Sequence, residues 1–344
     1  ERFTTRWPGV EALAAAPDLA DPALGARVGG LPADHGHQAM TSRLDPRARS
    51  DGRLSSGEDL GTRAAGLRIL VLYVNSGCDC RCAMCDIWRD RRQLFMSPQA
   101  VAQEIAEWRA AGVERIVLSG GEPLRHPNLR QLLDALAGTP CTLLTSGMAL
   151  REQAAILAHG PVDEVIVSLD GPPGLHDRLR GRADAFQRVA RGLEALRQQA
   201  PGLRVSARCT VQRANLGALR ATVDTALDLG LAGISFLAVD AHSEAFNRET
   251  SGPGLDAGEG SSPGLLPRSS DLAALEAELT LLEASHAAAF ERGYIAESPA
   301  KLRRRLLDHF RAELGLGTRP AVSCNAPWVS AVVETDGRMR PCFF

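Results

Sequence analysis

The chain has 344 residues, 44% of them hydrophobic and only 4% aromatic, with a formal net charge of −2. That length buries a large core, as one big domain with or without a smaller appendage, and a near-neutral charge without a concentrated basic face argues against a nucleic-acid binder. No apolar run approaches the roughly 20 residues of a membrane span, and the N-terminus lacks the charged, apolar and small-residue order of a secretion signal.

The basic side chains are almost all arginine, with Lys301 the only lysine. The short run Lys301-Leu302-Arg303-Arg304-Arg305 falls in a helical pattern with Leu306 and reads as a solvated helix face. Four of the eight cysteines crowd into residues 78–85. Such crowding favours metal or cluster binding in a reducing compartment over disulfides, so the cytoplasm is the expected location. The chain starts at Glu1 and stops at Phe344, two residues after a cysteine, and its native termini are expected to lie outside it.

Residues 1–64, rich in Ala, Pro, Gly, Asp and Arg, predict a loop-rich arm or extension with a short helix near 10–16 and no assigned function. Residues 65–315 then alternate apolar strand and amphipathic helix. Strands are predicted at 67–74, 115–119, 142–145, 164–169, 204–211 and 233–239; helices at 98–111, 128–137, 151–159, 183–199, 216–229 and 271–292. This order predicts an α/β fold with a parallel sheet and right-handed crossovers, either open and doubly wound or an incomplete barrel. In both, functional loops gather at the C-terminal ends of the strands. Residues 251–267, with five glycines and three prolines, predict a long loop, read as an insertion in preference to a lid. Residues 316–344 predict the start of a small auxiliary module built on a hairpin, in which Asp336-Gly337 turns between apolar runs at 329–334 and 339–343.

The chemistry-bearing residues fall at the predicted strand ends. Cys78, Cys82 and Cys85 form C-x3-C-x2-C directly after the first strand. Three thiolates on one loop suit an iron–sulfur cubane with one iron left open. On spacing alone zinc remains an alternative, but a structural zinc site takes four ligands and would recruit Cys80 or a distant cysteine. Gly120-Gly121-Glu122-Pro123 follows the second strand, where two glycines let backbone approach a ligand and Glu122 can receive an ammonium group. His126 and His176 read as structural loop residues, and Cys141 and Cys209 as small buried hydrophobes on strands.

Cys78, Cys82 and Cys85, Gly120–Pro123 and the later motifs across residues 67–240 resemble the radical S-adenosylmethionine (radical SAM) enzymes. The resemblance implies a partial (β/α)6 barrel in which the three cysteines bind a [4Fe–4S] cluster. Its open iron would chelate the amino and carboxylate groups of SAM, with Gly120, Gly121, Glu122 and Pro123 at the amino group. Thr145-Ser146-Gly147 resembles the family's Thr-Asn-Gly, with Ser146 at its centre, and Ser168-Leu169-Asp170-Gly171 its ribose and carboxylate region. Arg208 and Asn215 are weaker SAM contacts, equally readable as sheet-edge and helix-cap residues. Met84 stands where the family usually has an aromatic residue, and Cys80 reads as a free thiol, with a minor reading of Cys80 or Cys209 as a hydrogen-atom donor. Cys324-x12-Gly337-x4-Cys342 resembles the opening of a SPASM or twitch module, which implies an auxiliary [4Fe–4S] cluster.

The implied activity is reductive cleavage of SAM and hydrogen abstraction from a substrate, fed by a low-potential donor such as flavodoxin or ferredoxin. Peptide or protein modification is the preferred substrate class. The rival readings are a dehydrogenase or epimerase of a sugar or other small metabolite and, in another class, a non-enzymatic zinc or iron–sulfur binding module. Neither a nucleic acid nor a membrane is expected as a partner.

Overall fold

A computed structural model describes residues 66–90, 92–242, 264–318, 324 and 326–342. The predicted N-terminal arm and most of the 251–267 loop lie outside the described residues. Six strands run through the first part of the fold: β1 (Ile69–Asn75), β2 (Arg115–Gly120), β3 (Cys141–Thr145), β4 (Val162–Ser168), β5 (Arg204–Val211) and β6 (Ile234–Ala238). Each pairs in parallel with the next, and helices separate them, as the alternation of short apolar runs and amphipathic stretches requires. The helices are α1 (Pro98–Ala110), α2 (Leu129–Ala135), α3 (Leu150–Leu157), α4 (Pro173–Arg180), α5 (Ala185–Gln199) and α6 (Leu219–Asp228). The sheet does not close: β6 ends it on one side, as in an incomplete barrel.

The other side carries the tail. A helical stretch after β6 comprises α7 (Leu272–Ser285), α8 (Ala287–Glu291), α9 (Pro299–Arg303), a wide π turn at Arg304–Asp308 and α10 (His309–Glu313). After α11 (Ala326–Val329), β7 (Ser330–Val333) lies parallel to β1, and β8 (Met339–Arg340) returns antiparallel to it. The Asp336-Gly337 hairpin therefore forms, and its first strand continues the main sheet.

Two helical details depart from the sequence expectation. Residues 173–180, which include the expected loop residue His176, form α4, and Pro173 at its first position suits a helix start. His176 accordingly sits on a helix. The expected helix at 271–292 breaks at His286, whose side chain is 3.0 Å from Asp224 on α6.

Period-2 alternation decides what the sheet does on each face. Leu70, Leu72, Ile116, Leu118, Leu143, Val165, Val167, Cys209 and Phe236 are fully or almost fully buried in the core. Most residues of the opposite parity, including Tyr73, Ser119, Leu144, Ser168, Arg208 and Ser235, are only half-buried, although Val71, Asn75 and Thr142 among them are buried. One face is thus a packed core and the other a partly filled lumen. Among the described residues, no helix is long and apolar enough to cross a membrane.

Helix α5 packs closely on α3 through Gly192. A Cβ added at Gly192 would lie 2.6 Å from Leu150 Cβ and 3.3 Å from the Gly147 carbonyl. In an exposed helix, Gly→Ala gains about 1 kcal/mol. Here Gly192→Ala is expected to lower stability by about 1–3 kcal/mol through overpacking. Urea unfolding monitored by circular dichroism checks the sign, and a stabilised variant would refute the close approach.

Candidate functional site

The C-terminal ends of β1, β2 and β3 are laced together by backbone and carboxylate bonds. Asn75, the last residue of β1, accepts from the Gly121 amide at 2.7 Å through its carbonyl oxygen. Its side-chain Nδ2 donates to the Glu122 carbonyl at 3.0 Å, and its Oδ1 accepts from the Gly77 amide at 2.8 Å. The Glu122 amide donates to the Gly77 carbonyl at 2.8 Å. These bonds hold the start of the cysteine loop against the glycine pair. A Cβ on Gly121 would overlap the Gly77 carbonyl, which is why the chain needs glycine there.

Glu122 is buried and extends the lacing to β3. Its Oε1 accepts from the Thr145 hydroxyl at 2.7 Å and the Leu124 amide at 3.0 Å, and its Oε2 accepts from the Ser146 amide at 2.7 Å. Burial pushes its carboxyl above the ordinary glutamate value, with the nearby Asp79 acting in the same direction and the Thr145 and Ser146 bonds opposing. Three of about four acceptor positions on the carboxylate are already used. The Ser146 hydroxyl reaches towards Asp79 at 3.4 Å, joining β3 to the cysteine loop.

A second knot ties β4, β5 and α4 to the same loop. Asp170 is fully buried; its Oδ1 accepts from the Thr210 amide at 2.9 Å, and its Oδ2 pairs with Arg180 at 2.6 Å. Its carbonyl accepts from Asn215 Nδ2 at 2.9 Å, and its amide donates to His176 Nδ1 at 3.2 Å. Arg180 also lies 3.7 Å from the Cys82 sulfur, while its carbonyl accepts from the Arg81 amide at 2.9 Å. Asn215 bonds β5 and Asp170 and does not cap α6. Ser168 and Arg208 face each other across β4 and β5, half-buried on the lumen face, and the buried Arg208 Nε has no partner among the described residues.

Within the loop, Cys80 is buried, with its sulfur 3.3 Å from Met148 Sδ. The Cys80 thiol, helped by Arg180, brings the Cys82 thiol down to about 7, whereas burial pushes Cys85 up to about 12. Met84 is buried and contacts Gln212 at 3.7 Å. Among the described residues, no three His, Cys, Asp or Glu side chains converge as ligands of a single ion. A single tetrahedral ion requires that convergence; a cubane does not, because each cysteine binds a different iron. Three neighbouring thiols on one loop, with the guanidinium of Arg180 beside one of them, are a donor set that fits a cluster. In the tail, Cys324 is exposed and Cys342 half-buried beyond β8.

Cys78, Cys82, Cys85, Gly120, Gly121, Glu122, Pro123, Ser146, Ser168, Asp170 and Arg208 thus all lie on or just beyond the same strand ends. Two participants have no local sequence signature of this role. Asn75 reads as an ordinary turn former before Ser-Gly, and Arg180 is one of many arginines until α4 places it under the cysteine loop.

Residues 72–224 match the model of the Radical SAM superfamily. The chain is 33% identical to the PqqA peptide cyclase of Ruegeria pomeroyi over 155 residues, 44% of this chain and 41% of that protein. It is 26% identical to the AdoMet-dependent heme synthase of Oleidesulfovibrio alaskensis over 191 residues, 54% of this chain and 48% of that protein. The chain spans about half the length of these curated relatives. Among solved structures, Streptococcus suis SuiB bound to its precursor peptide SuiA superposes with a TM-score of 0.56 at 16% identity, covering 81% of this chain and 60% of SuiB. That likeness is one of fold.

Two outcomes test the lacing. Gly121→Ala is expected to speed hydrogen exchange at the residue 121 and 122 amides by about tenfold or more, leaving α5 unchanged; unchanged exchange would refute the close approach to Gly77. Burial, with Arg180 adding to it, lowers His176 from 6.5 to about 4, so the ring stays neutral in the fold while the unfolded chain protonates it. Stability from this group is complete above pH 6.5 and falls as pH drops towards 4, by about 2 kcal/mol between pH 7 and pH 5. Urea midpoints of His176→Gln, which keeps an acceptor for the Asp170 amide, are expected to show a correspondingly smaller acid loss. Equal losses in both proteins would reject the assignment.

Proposed function

The chain carries a radical SAM domain, and on that premise we propose that it is an enzyme that cleaves S-adenosylmethionine reductively and abstracts hydrogen from a peptide substrate. A radical SAM domain implies a [4Fe–4S] cluster with cysteine ligands and SAM as cofactors. Cys78, Cys82 and Cys85 are the residues to hold the cluster. When bound, it supplies the electron that breaks the carbon–sulfur bond of SAM and leaves a 5′-deoxyadenosyl radical.

The observation that carries this reading is the lacing of the cysteine loop to Gly120–Glu122 and Ser146 at one end of the sheet. Asn75 and Glu122 act as positioning residues: they fix the glycine backbone beside the loop and spend most of their own hydrogen-bonding capacity doing so. Asp170 acts likewise, holding Arg180 against Cys82. Ser168 and Arg208 retain polar capacity on the lumen face, and the unpartnered Nε of Arg208 is a donor for an anionic group such as the SAM carboxylate. The half-filled lumen admits substrate while the packed opposite face keeps the frame rigid. Cys324 and Cys342 are assigned to an auxiliary cluster that would take further ligands.

A peptide substrate is supported by the likeness to a peptide cyclase and to SuiB, whose structure contains its precursor peptide. The heme synthase relative favours a second reading, a small-molecule substrate. A low-potential carrier such as flavodoxin or ferredoxin is the electron donor on either reading.

Anaerobic reconstitution with iron and sulfide, then dithionite and SAM, is expected to yield 5′-deoxyadenosine. The Cys78/Cys82/Cys85→Ala triple variant is expected to lose it by about 100-fold or more, the scale of removing an essential catalytic group. Loaded protein that makes none would refute the proposal. A mass change on a candidate peptide, against one on a small metabolite, separates the two substrate classes.

A further inference from the structure

The cysteine loop borders a cleft of about 630 Å³ that is separate from the lumen residues Ser168 and Arg208. Cys78, Asp79 and Cys80 form one wall, and Trp88 contributes an indole whose buried Nε1 has no partner among the described residues. The rest of the lining is arginine: Arg81, Arg89, Arg125 and Arg182, against the single carboxylate of Asp79. Arg89 pairs with Asp86 at 2.9 Å and lies 5.0 Å over the Trp88 ring, and Arg182 is 3.6 Å from Asp184. Arg81 and Arg125 are exposed and have no ion pair among the described residues. A chain of net charge −2 therefore concentrates positive charge where the cysteine loop meets the surface.

We infer that this cleft is the docking point for an acidic electron-carrier protein, an inference that rests on the radical SAM reading above. Two observations select a carrier over a substrate. The cleft touches the loop bearing the proposed cluster ligands, yet none of Glu122, Ser168, Asp170 and Arg208 lines it. An occupant there meets the cluster loop without entering the lumen, which suits electron delivery and does not bring a substrate carbon to the SAM side. The charge also fits: electron-transfer encounters bury little surface, under about 1,200 Å² in total, and depend on electrostatic steering between patches of opposite sign. In the transfer the carrier gives up one electron, which the bound cluster accepts, and no bond forms or breaks in the cleft.

The test uses the cluster-reconstituted protein, a flavodoxin as the acidic carrier, and reduced methyl viologen as a small cationic reductant that needs no such patch. Arg125→Glu/Arg182→Glu is expected to weaken flavodoxin binding, read by flavin fluorescence, about tenfold or more at low salt, and to flatten the salt dependence that screening imposes on the native pair. Cluster reduction by flavodoxin, followed by stopped-flow absorbance, is expected to fall in parallel, with iron content and methyl-viologen-driven SAM cleavage preserved. Arg125→Gln/Arg182→Gln is expected to fall between, which separates charge from local disruption. Native-like flavodoxin binding and reduction in the charge-reversed protein would overturn the inference. So would an equal loss with both reductants, which would assign the cleft to substrate or to loop structure. Failure of the unaltered protein to cleave SAM with either reductant would overturn the radical SAM reading and this inference with it; failure confined to the flavodoxin comparison leaves that reading standing.

Discussion

Everything at the functional end of this molecule depends on how parallel strands leave their last backbone groups unpaired. Beyond β1, β2 and β3 the ladder stops, and the exposed amides and carbonyls need partners. Asn75 and Glu122 supply them, Asn75 bridging β1 to Gly121 and Glu122, and Glu122 bridging on to Thr145 and Ser146. The cysteine loop is thereby attached to the sheet through hydrogen bonds made by residues that are not themselves cysteines. Burying Glu122 is costly by itself, and three donors at 2.7–3.0 Å offset that cost.

The second attachment is ionic. Asp170 and Arg180 form a buried pair, and such pairs contribute little net stability relative to an apolar replacement, although removing one partner is costly. What the pair provides here is placement. Arg180 can reach Cys82 only because Asp170, itself held by Thr210, Asn215 and His176, anchors the guanidinium. The loop is thus gripped from β2 and β3 on one side and from α4 and β5 on the other. A site supported in this way holds its geometry before any ligand arrives.

The charge pattern follows the same division of labour. Carboxylates and amides that organise the loop are buried and spent on protein partners, whereas the arginines facing the cleft are largely exposed and incompletely paired. The first set positions and the second is free to recognise. On the lumen face, Arg208 combines both features, being half-buried with an enclosed Nε that has no partner among the described residues.

The sequence by itself determined the class of fold and pointed to the strand ends where the candidate site is built. Short apolar runs at period 2 alternate with helical stretches, a local property that admits few arrangements other than a parallel α/β sheet. Cys78, Cys82 and Cys85 and the Gly120–Pro123 turn are legible because thiolate spacing and paired glycines carry their chemistry in contiguous residues. The tertiary structure alone decided which side chains support them. Asn75 meets Glu122 across 47 positions of sequence, and Arg180 meets Cys82 across 98. It also decided that α4 exists where His176 read as a loop residue, that the hairpin extends the sheet beside β1, and that four scattered arginines face one cleft. Local propensity and motif spacing reflect neighbours in the chain, whereas these pairings depend on distances set only when the whole sheet has been assembled.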